Sequence, residues 1–494
     1  MLFNSLSFLI FFPVVTTLYF LLPHKRRWPL LLSASCFFYM CFIPQYIFIL
    51  AITITIDYFA ALLIEKAEGQ EKKRHYLVAS IISTCLVLFV FKYFNFFNAN
   101  FAKIAALFGL HYPIGLIHLI LPIGLSFHTF QSLSYVIEVY RGRQRAESHF
   151  GIYSLYVMFY PQLVAGPIER PQNLLHQFYE KHCFDYTRVT NGLKLMAWGM
   201  FKKVVIADRL AVLVNQVYDN PTAQPGLILM MATVFFAFQI YCDFSGYSDI
   251  AIGSAQVMGF KLMNNFNLPY LSQSISEFWQ RWHISLSTWF RDYLYIPLGG
   301  SRCSRGRWQF NLMVTFLVSG LWHGANWTYV LWGALNGFYL LFGVWTANAR
   351  AIIRRKIRLN VSGVLMRCCR TIVTFSLICF SWIFFRAKDV GEGFYIVRHL
   401  FEGIPALLRK VLLTHSLSGL GQLSALPNDR GYYLTSFLVV LALIIIQIFK
   451  GNGSLRDILS RRPLAVRWVF YYALVGCIFL FGVFNNTEFI YFQF

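Results

Sequence analysis

Residues 278–327 hold two histidines, His283 and His323, each preceded by a tryptophan, Trp282 and Trp322. Imidazole is the one side chain whose ordinary pKa lets it take up and release a proton near neutral pH. The residues that lead into His323, 310–322, are mainly apolar, and an ionisable ring inside a membrane is costly. A ring kept at that cost is read as functional; the alternative is a histidine hydrogen-bonded into a helix bundle, the reading given to His118 and His128. A neutral His323 can act as general base on the hydroxyl of an acyl acceptor. Trp322 and Asn326, beside it and one turn on, are candidate supports. His283 alone reads equally well as an interfacial helix residue beside Arg281. Paired with His323, it can hold the acceptor or a thioester carbonyl.

Other chemistry finds less support. No third His, Cys or carboxylate stands at a ligand spacing such as HxxxH or ExxH, so no metal is expected. The acids nearby, Asp243, Asp249, Glu277 and Asp292, are expected to form ion pairs with Arg281, Arg291 and nearby lysines. Soluble-enzyme signatures are absent: no GxSxG, P-loop, GxGxxG or HxxxxD box. Between the histidines, residues 298–307 are rich in Gly, Ser and Arg. Arg302, Arg305 and Arg307 can attract the phosphates of an anionic donor, and the bias of cytoplasmic loops toward Lys and Arg accounts for them equally well.

Those residues must be held by membrane helices. The 494 residues are 57% hydrophobic and only 13% charged, and apolar runs long enough to cross a bilayer recur throughout. The net charge of +22 is read as cytoplasmic-loop bias, not as a nucleic-acid footprint. Ten cysteines show no CxxC and mostly sit in apolar runs, such as Cys85, Cys379 and Cys477, so they are read as packing residues.

Spans are expected at about 6–22, 28–42, 46–64, 76–93 and 114–140, with a loop at 95–113. The first run lacks a basic leader region and a cleavage site and is read as a retained span. Residues 153–164 are short for a span and are interrupted at 165–171, as a re-entrant segment would be. A kinked pair is expected at 227–241 and 248–260, broken at 242–246. Residues 276–296 read as one helix half in a cavity. Then 310–323 enters and 327–347 returns, followed by spans at 371–385, 433–448 and 468–484, with a mixed stretch at 386–430. At about 1.5 Å per residue His323 lies roughly 20 Å along its helix, past the middle of a hydrocarbon core of about 30 Å. The clusters at 24–27, 65–74 and 141–145 alternate with basic-poor loops, which puts the N-terminus on the outer side, and the basic stretch at 450–467 leaves the C-terminus there too. There Tyr491 can carry an acyl group briefly as an ester, or serve in an aromatic anchor.

Five stretches together carry a family likeness: YPQLVAGPIERP at 160–171, YCDFSGYSD at 241–249, FWQRWHISLSTWF at 278–290, DYLYIPLGG at 292–300 and GLWHGA at 320–325. The chain resembles the membrane-bound O-acyltransferases, and within them the bacterial branch that acetylates polysaccharides such as alginate or peptidoglycan. The likeness covers nearly the whole chain. It implies an all-α polytopic membrane fold, with ten to twelve transmembrane helices plus re-entrant helices around a central tunnel open to both sides. One integral membrane domain is expected over 1–494, with N-terminal spans at 1–145, a catalytic core at 146–350 and C-terminal spans and tail at 351–494. The resemblance implies His323 as the catalytic histidine and His283 as a second site residue that many relatives replace with Asn or Asp. It implies no bound cofactor, acetyl-CoA or an acyl carrier thioester as donor, and a place in the bacterial inner membrane among its lipids. It also implies an extracytoplasmic partner, an SGNH-like acetyltransferase or another polysaccharide-synthesis protein. The implied function is O-acetylation of an extracytoplasmic polysaccharide from a cytoplasmic thioester. Alternatives are a long-chain acyltransferase for lipid or protein, and a non-catalytic transporter of an acyl carrier.

Overall fold

In hydrocarbon, backbone N–H and C=O groups must be satisfied within the chain, which favours helices wherever long apolar runs recur. The computed structural model describes residues 1–164, 166–356, 363–403, 430–451, 453 and 455–484, and the regular structure among these residues is helical throughout. Six helices are long and apolar enough to cross a bilayer by length and composition: Pro44–Lys66, Gln70–Leu107, Gly226–Met258, Gly363–Arg386, Gly431–Lys450 and Leu464–Phe481. Leu6–Leu21 is a shorter apolar helix. Other expected crossings fall on helices that are shorter or richer in Trp, Tyr and polar groups, such as Arg27–Met40, Leu125–Tyr140, Arg305–His323 and Trp327–Trp345.

Several sequence expectations change in the folded chain. The loop expected at 95–113 is helical to Leu107, through a π-helical segment at Phe89–Tyr93. Residues 94–107 contain neither Pro nor Gly, so nothing in them ends the helix. The span expected at 114–140 begins instead at Leu125. Pro122 lacks the N–H a helix interior needs there, and Gly124 at the N-cap is left-handed (φ 77°). Asn95 and Asn98 also hold the non-helical stretch, donating to the carbonyls of Ile117 (2.7 Å) and Gly115 (2.9 Å). His118 is exposed on that stretch and is not packed in a bundle. His128 is buried, with Nε2 2.7 Å from the Thr53 hydroxyl. The break expected at 242–246 does not occur, because Gly226–Met258 is one helix of 33 residues. A lone glycine costs a helix only about 1 kcal/mol, and Asp243 is tied to Lys203 at 2.7 Å. The helix expected over 276–296 divides into Ile275–Arg281, Ile284–Phe290 and a π-helical segment Arg291–Tyr295. Residues 357–362, 404–429 and 485–494 lie outside the described residues, and with them part of the stretch at 386–430 and the tail with Tyr491.

The chain divides into two compact units, one of residues 1–199 with 247–264, the other of 200–246 with the described residues from 265 onward. In the first, Ile47–Lys66 packs with Gln70–Leu88 and Leu125–Tyr140. Buried Asp57 there accepts hydrogen bonds from Ser80 Oγ (2.6 Å) and Thr84 Oγ1 (3.0 Å). Short helices Phe150–Met158 and Tyr160–Leu163, followed by non-helical backbone at 166–170, match the interrupted segment expected there.

The second unit holds both site histidines. Its helices Arg305–His323 and Trp327–Trp345 form a hairpin closed by glycine. Without a hydrophobic drive between helices in lipid, small residues that let backbones meet supply the packing. A side chain at Gly320 would run into the Tyr329 carbonyl, and one at Gly333 into the Phe316 carbonyl. Backbone cannot yield as a flexible side chain can. Gly333→Leu is therefore expected to destabilise the protein by about 1–3 kcal/mol or more through overpacking. The check is a lowered unfolding temperature in detergent; an unchanged temperature would refute the glycine contact.

Candidate active site

His323 is the last residue of its helix, because Gly324 follows with extended backbone (φ −161°, ψ 148°). The next helix starts at Trp327, and Asn326 Oδ1 caps it by accepting from the Thr328 N–H at 3.1 Å. The imidazole therefore stands at a helix C-terminus, whose carbonyl ends favour positive charge as it develops nearby. It is 4% exposed. Rings surround it on several sides: Trp332 at 5.0 Å and nearly perpendicular, Phe385 at 5.3 Å, and Trp322 at 4.9 Å between centroids.

These walls brace one another. Trp382 stacks on Trp332 at 5.7 Å and 16° and meets Phe385 at 5.1 Å. Trp282 reaches Trp382 at 5.2 Å, and Trp279 reaches Trp332 at 5.6 Å. Aromatic pairs of this kind add about 0.5–1.5 kcal/mol each beyond the area they bury. The box draws on the helices Ile275–Arg281, Arg305–His323, Trp327–Trp345 and Gly363–Arg386, so it forms only when all four are packed. Such a lining excludes water and strengthens electrostatic interactions at the ring.

His283 sits where the expected long helix breaks. Its backbone is left-handed (φ 44°, ψ 55°), a region most side chains avoid and in which Asn, Asp and His are over-represented. The ring is 1% exposed. It lies perpendicular to Phe244 at 4.5 Å and 6.2 Å from the Trp322 ring. One indole, Trp322, thus touches the surroundings of both histidines.

The remaining candidates separate. Asn326 is a helix cap, and its Nδ2 donates to the Lys388 carbonyl at 3.1 Å. Arg302, Arg305 and Arg307 are exposed; Arg307 donates to the Leu298 carbonyl (3.3 Å from Nη2) and lies over Phe310 at 5.2 Å. Three of the four acids pair as the sequence leads one to expect: Glu277 with Arg281 at 2.6 Å, Asp292 with Arg291 at 2.7 Å, and Asp243 with Lys203 at 2.7 Å. Lys203 also meets Asp208 at 2.8 Å, and Lys202 Nζ donates to Ser245 Oγ at 2.9 Å. Among the described residues, no three His, Cys, Asp or Glu side chains stand close enough to hold a metal ion. Sequence reasoning did not single out Phe244, Trp332, Trp382 or Phe385 as parts of the site. In a chain with 18% aromatic residues, no spacing marks them off from ordinary packing or belt residues.

The described residues thus form a helical protein with apolar spans and two buried imidazoles, one of them at a helix end within an aromatic box. A profile described as "MBOAT, membrane-bound O-acyltransferase family" matches residues 141–383, which include both histidines. The chain is 39% identical to the "Probable alginate O-acetylase AlgI" of Pseudomonas aeruginosa over 407 residues, 81% of this chain and 75% of that protein. It is 34% identical to the "Peptidoglycan O-acetyltransferase" of Helicobacter pylori over 492 residues, 92% of this chain and 90% of that protein. A more distant relative is the "Teichoic acid D-alanyltransferase" of Bacillus subtilis, 25% identical over 54% of this chain and 69% of that protein. The chain belongs to the membrane-bound O-acyltransferase family, and it is an O-acyltransferase.

Proposed function

We propose that the protein takes an acetyl group from a cytoplasmic thioester and delivers it across the bacterial inner membrane for O-acetylation of an extracytoplasmic polysaccharide, alginate-like or peptidoglycan. The observation that carries this reading is His323, a buried imidazole at a helix end inside the aromatic box. The names borne by the alginate and peptidoglycan relatives support the acetyl group and the polymer class.

In this reading the neutral His323 ring accepts the proton of an acceptor hydroxyl as its oxygen attacks the thioester carbonyl. The C–S bond of the tetrahedral adduct then breaks, and the imidazolium returns the proton to the leaving thiolate. His283 holds the acceptor or the thioester carbonyl. The donor is acetyl-CoA or an acyl carrier thioester. It enters from the side carrying Arg302, Arg305 and Arg307, through a tunnel in which the aromatic side chains give way. The thiol stays on the cytoplasmic side, and an extracytoplasmic transferase of the SGNH type completes delivery to the sugar.

The test uses inverted vesicles, whose outer face is the cytoplasmic one, supplied with acetyl-labelled acetyl-CoA or palmitoyl-CoA. Labelled ester is expected inside the vesicles from the acetyl donor and not from the palmitoyl donor. A preference for palmitoyl would favour the lipid- or protein-acylating alternative, and label confined to the outer face would refute transfer across the membrane.

A further inference from the structure

The helix Ile284–Phe290 begins on a residue that does not cap it. His283 holds the cap position, its side chain supplies no cap hydrogen bond, and its backbone is left-handed. Among the described residues, only Leu268 (φ 49°) shares a positive φ without being glycine. Such backbone persists where its surroundings over-determine it.

Residues 265–268 supply that constraint by running alongside 281–284. The Asn267 N–H donates to the Arg281 carbonyl at 2.9 Å, and the Ile284 N–H donates to the Asn265 carbonyl at 2.9 Å. Asn265 Oδ1 lies 3.4 Å from the Ser285 N–H, which donates to it. One residue, 1% exposed, therefore takes the first two N–H groups of the helix from outside it. These are donors that a helix start otherwise leaves unsatisfied. Between the two strands of this clasp, Phe266 packs on Trp282 at 5.1 Å and on Phe244 at 5.0 Å, and Phe244 in turn faces the His283 ring.

We propose that Asn265 is the positioning residue for His283: it caps the helix from outside, holds the left-handed turn, and so fixes the direction in which the imidazole is presented to the reacting groups. The inference rests on the reading of His283 as part of the acyl-transfer site.

Asn265→Asp keeps an acceptor at Oδ1, and Asn265→Leu keeps the shape without it. These variants, His283→Ala and the double variant Asn265→Leu/His283→Ala are compared with wild type in the vesicle assay, each first checked for monodispersity in detergent. Asn265→Leu is expected to lower kcat on the order of a hundredfold, as a misplaced catalytic group does, with little change in KM for the donor. Asn265→Asp, which buries a carboxyl but still offers an acceptor to the Ser285 N–H, is expected to retain more activity than Asn265→Leu. The double variant is expected to be no worse than His283→Ala alone, because coupled residues are not additive. An active Asn265→Leu beside an inactive His283→Ala overturns this inference alone. So does an Asn265→Asp as impaired as the Leu variant, or a multiplicative loss in the double variant. A fully active His283→Ala overturns the reading of His283 and this inference together. If the Leu variant is not monodisperse, Asn265→Ala and its recovery by Asp decide in the same way.

Discussion

Replacing His323 with Gln is expected to lower acyl-transfer turnover by roughly 10²–10⁴-fold, the range that a positioned acid–base group contributes. Gln can still hydrogen-bond and largely fills the space between Trp332 and Phe385, so the aromatic box should persist. An alanine would also open a cavity there, and packing loss would then mix with chemical loss. The measurement is ester formation from labelled donor, with the unfolding temperature of purified protein as control. A Gln variant that turns over like wild type would remove His323 from the chemistry, whatever its burial. A variant that is inactive but also unstable would be decided by His323→Asn, which keeps a polar side chain in a smaller volume.

Lys203→Met is expected to destabilise the fold by about 3–5 kcal/mol, the cost of stranding buried charge when one partner of an ion pair is removed. Lys203 lies on the π-helical segment Phe201–Ala207 and holds both Asp208 and Asp243, and all three side chains are buried. Without the ammonium, two carboxylates would share a site closed to water. The matching triple variant, Lys203→Met with Asp208→Asn and Asp243→Asn, is expected to regain part of the loss, since the two carboxylates are removed together with the ammonium that compensates them. Thermal unfolding in detergent, read by size-exclusion chromatography of heated samples, checks both. Should the single variant unfold at the wild-type temperature, the pair contributes nothing to stability.

The place of His323 at a helix end is legible in the chain because its signal is local: an ionisable ring at the end of an apolar run, after a tryptophan and before a glycine. The ion pairs of Glu277 and Asp292 were readable for the same reason, since their partners lie within one turn. The walls of the box were not. Trp332, Trp382 and Phe385 come from helices brought together only by tertiary packing, and an aromatic residue looks the same in sequence whether it lines a site or faces lipid. The break at Trp282–His283 was missed because no Pro or Gly marks it; hydrogen bonds from residues 265–267 hold it, a long-range cause. The opposite error occurred at 242–246, where Gly246 and the polar run suggested a kink and the buried contacts of Asp243 and Ser245 keep the helix whole. At 110–124 the apolar composition outweighed the prolines in the reading, and in the structure Pro122 and the left-handed Gly124 prevail.

Because Gly320 and Gly333 let two helices meet backbone to backbone, residues 305–345 can leave the translocon as one piece. Each helix carries tryptophans and amides that make it a poor solitary passenger, and the mate shields many of them. Arg302, Arg305 and Arg307 stand at or before the start of the first helix and Arg350 beyond the end of the second, so this basic charge lies at the ends remote from the turn after His323. A pair inserted in this way would carry His323 in at its turn, where the proposed chemistry needs it, with no later rearrangement of the two helices.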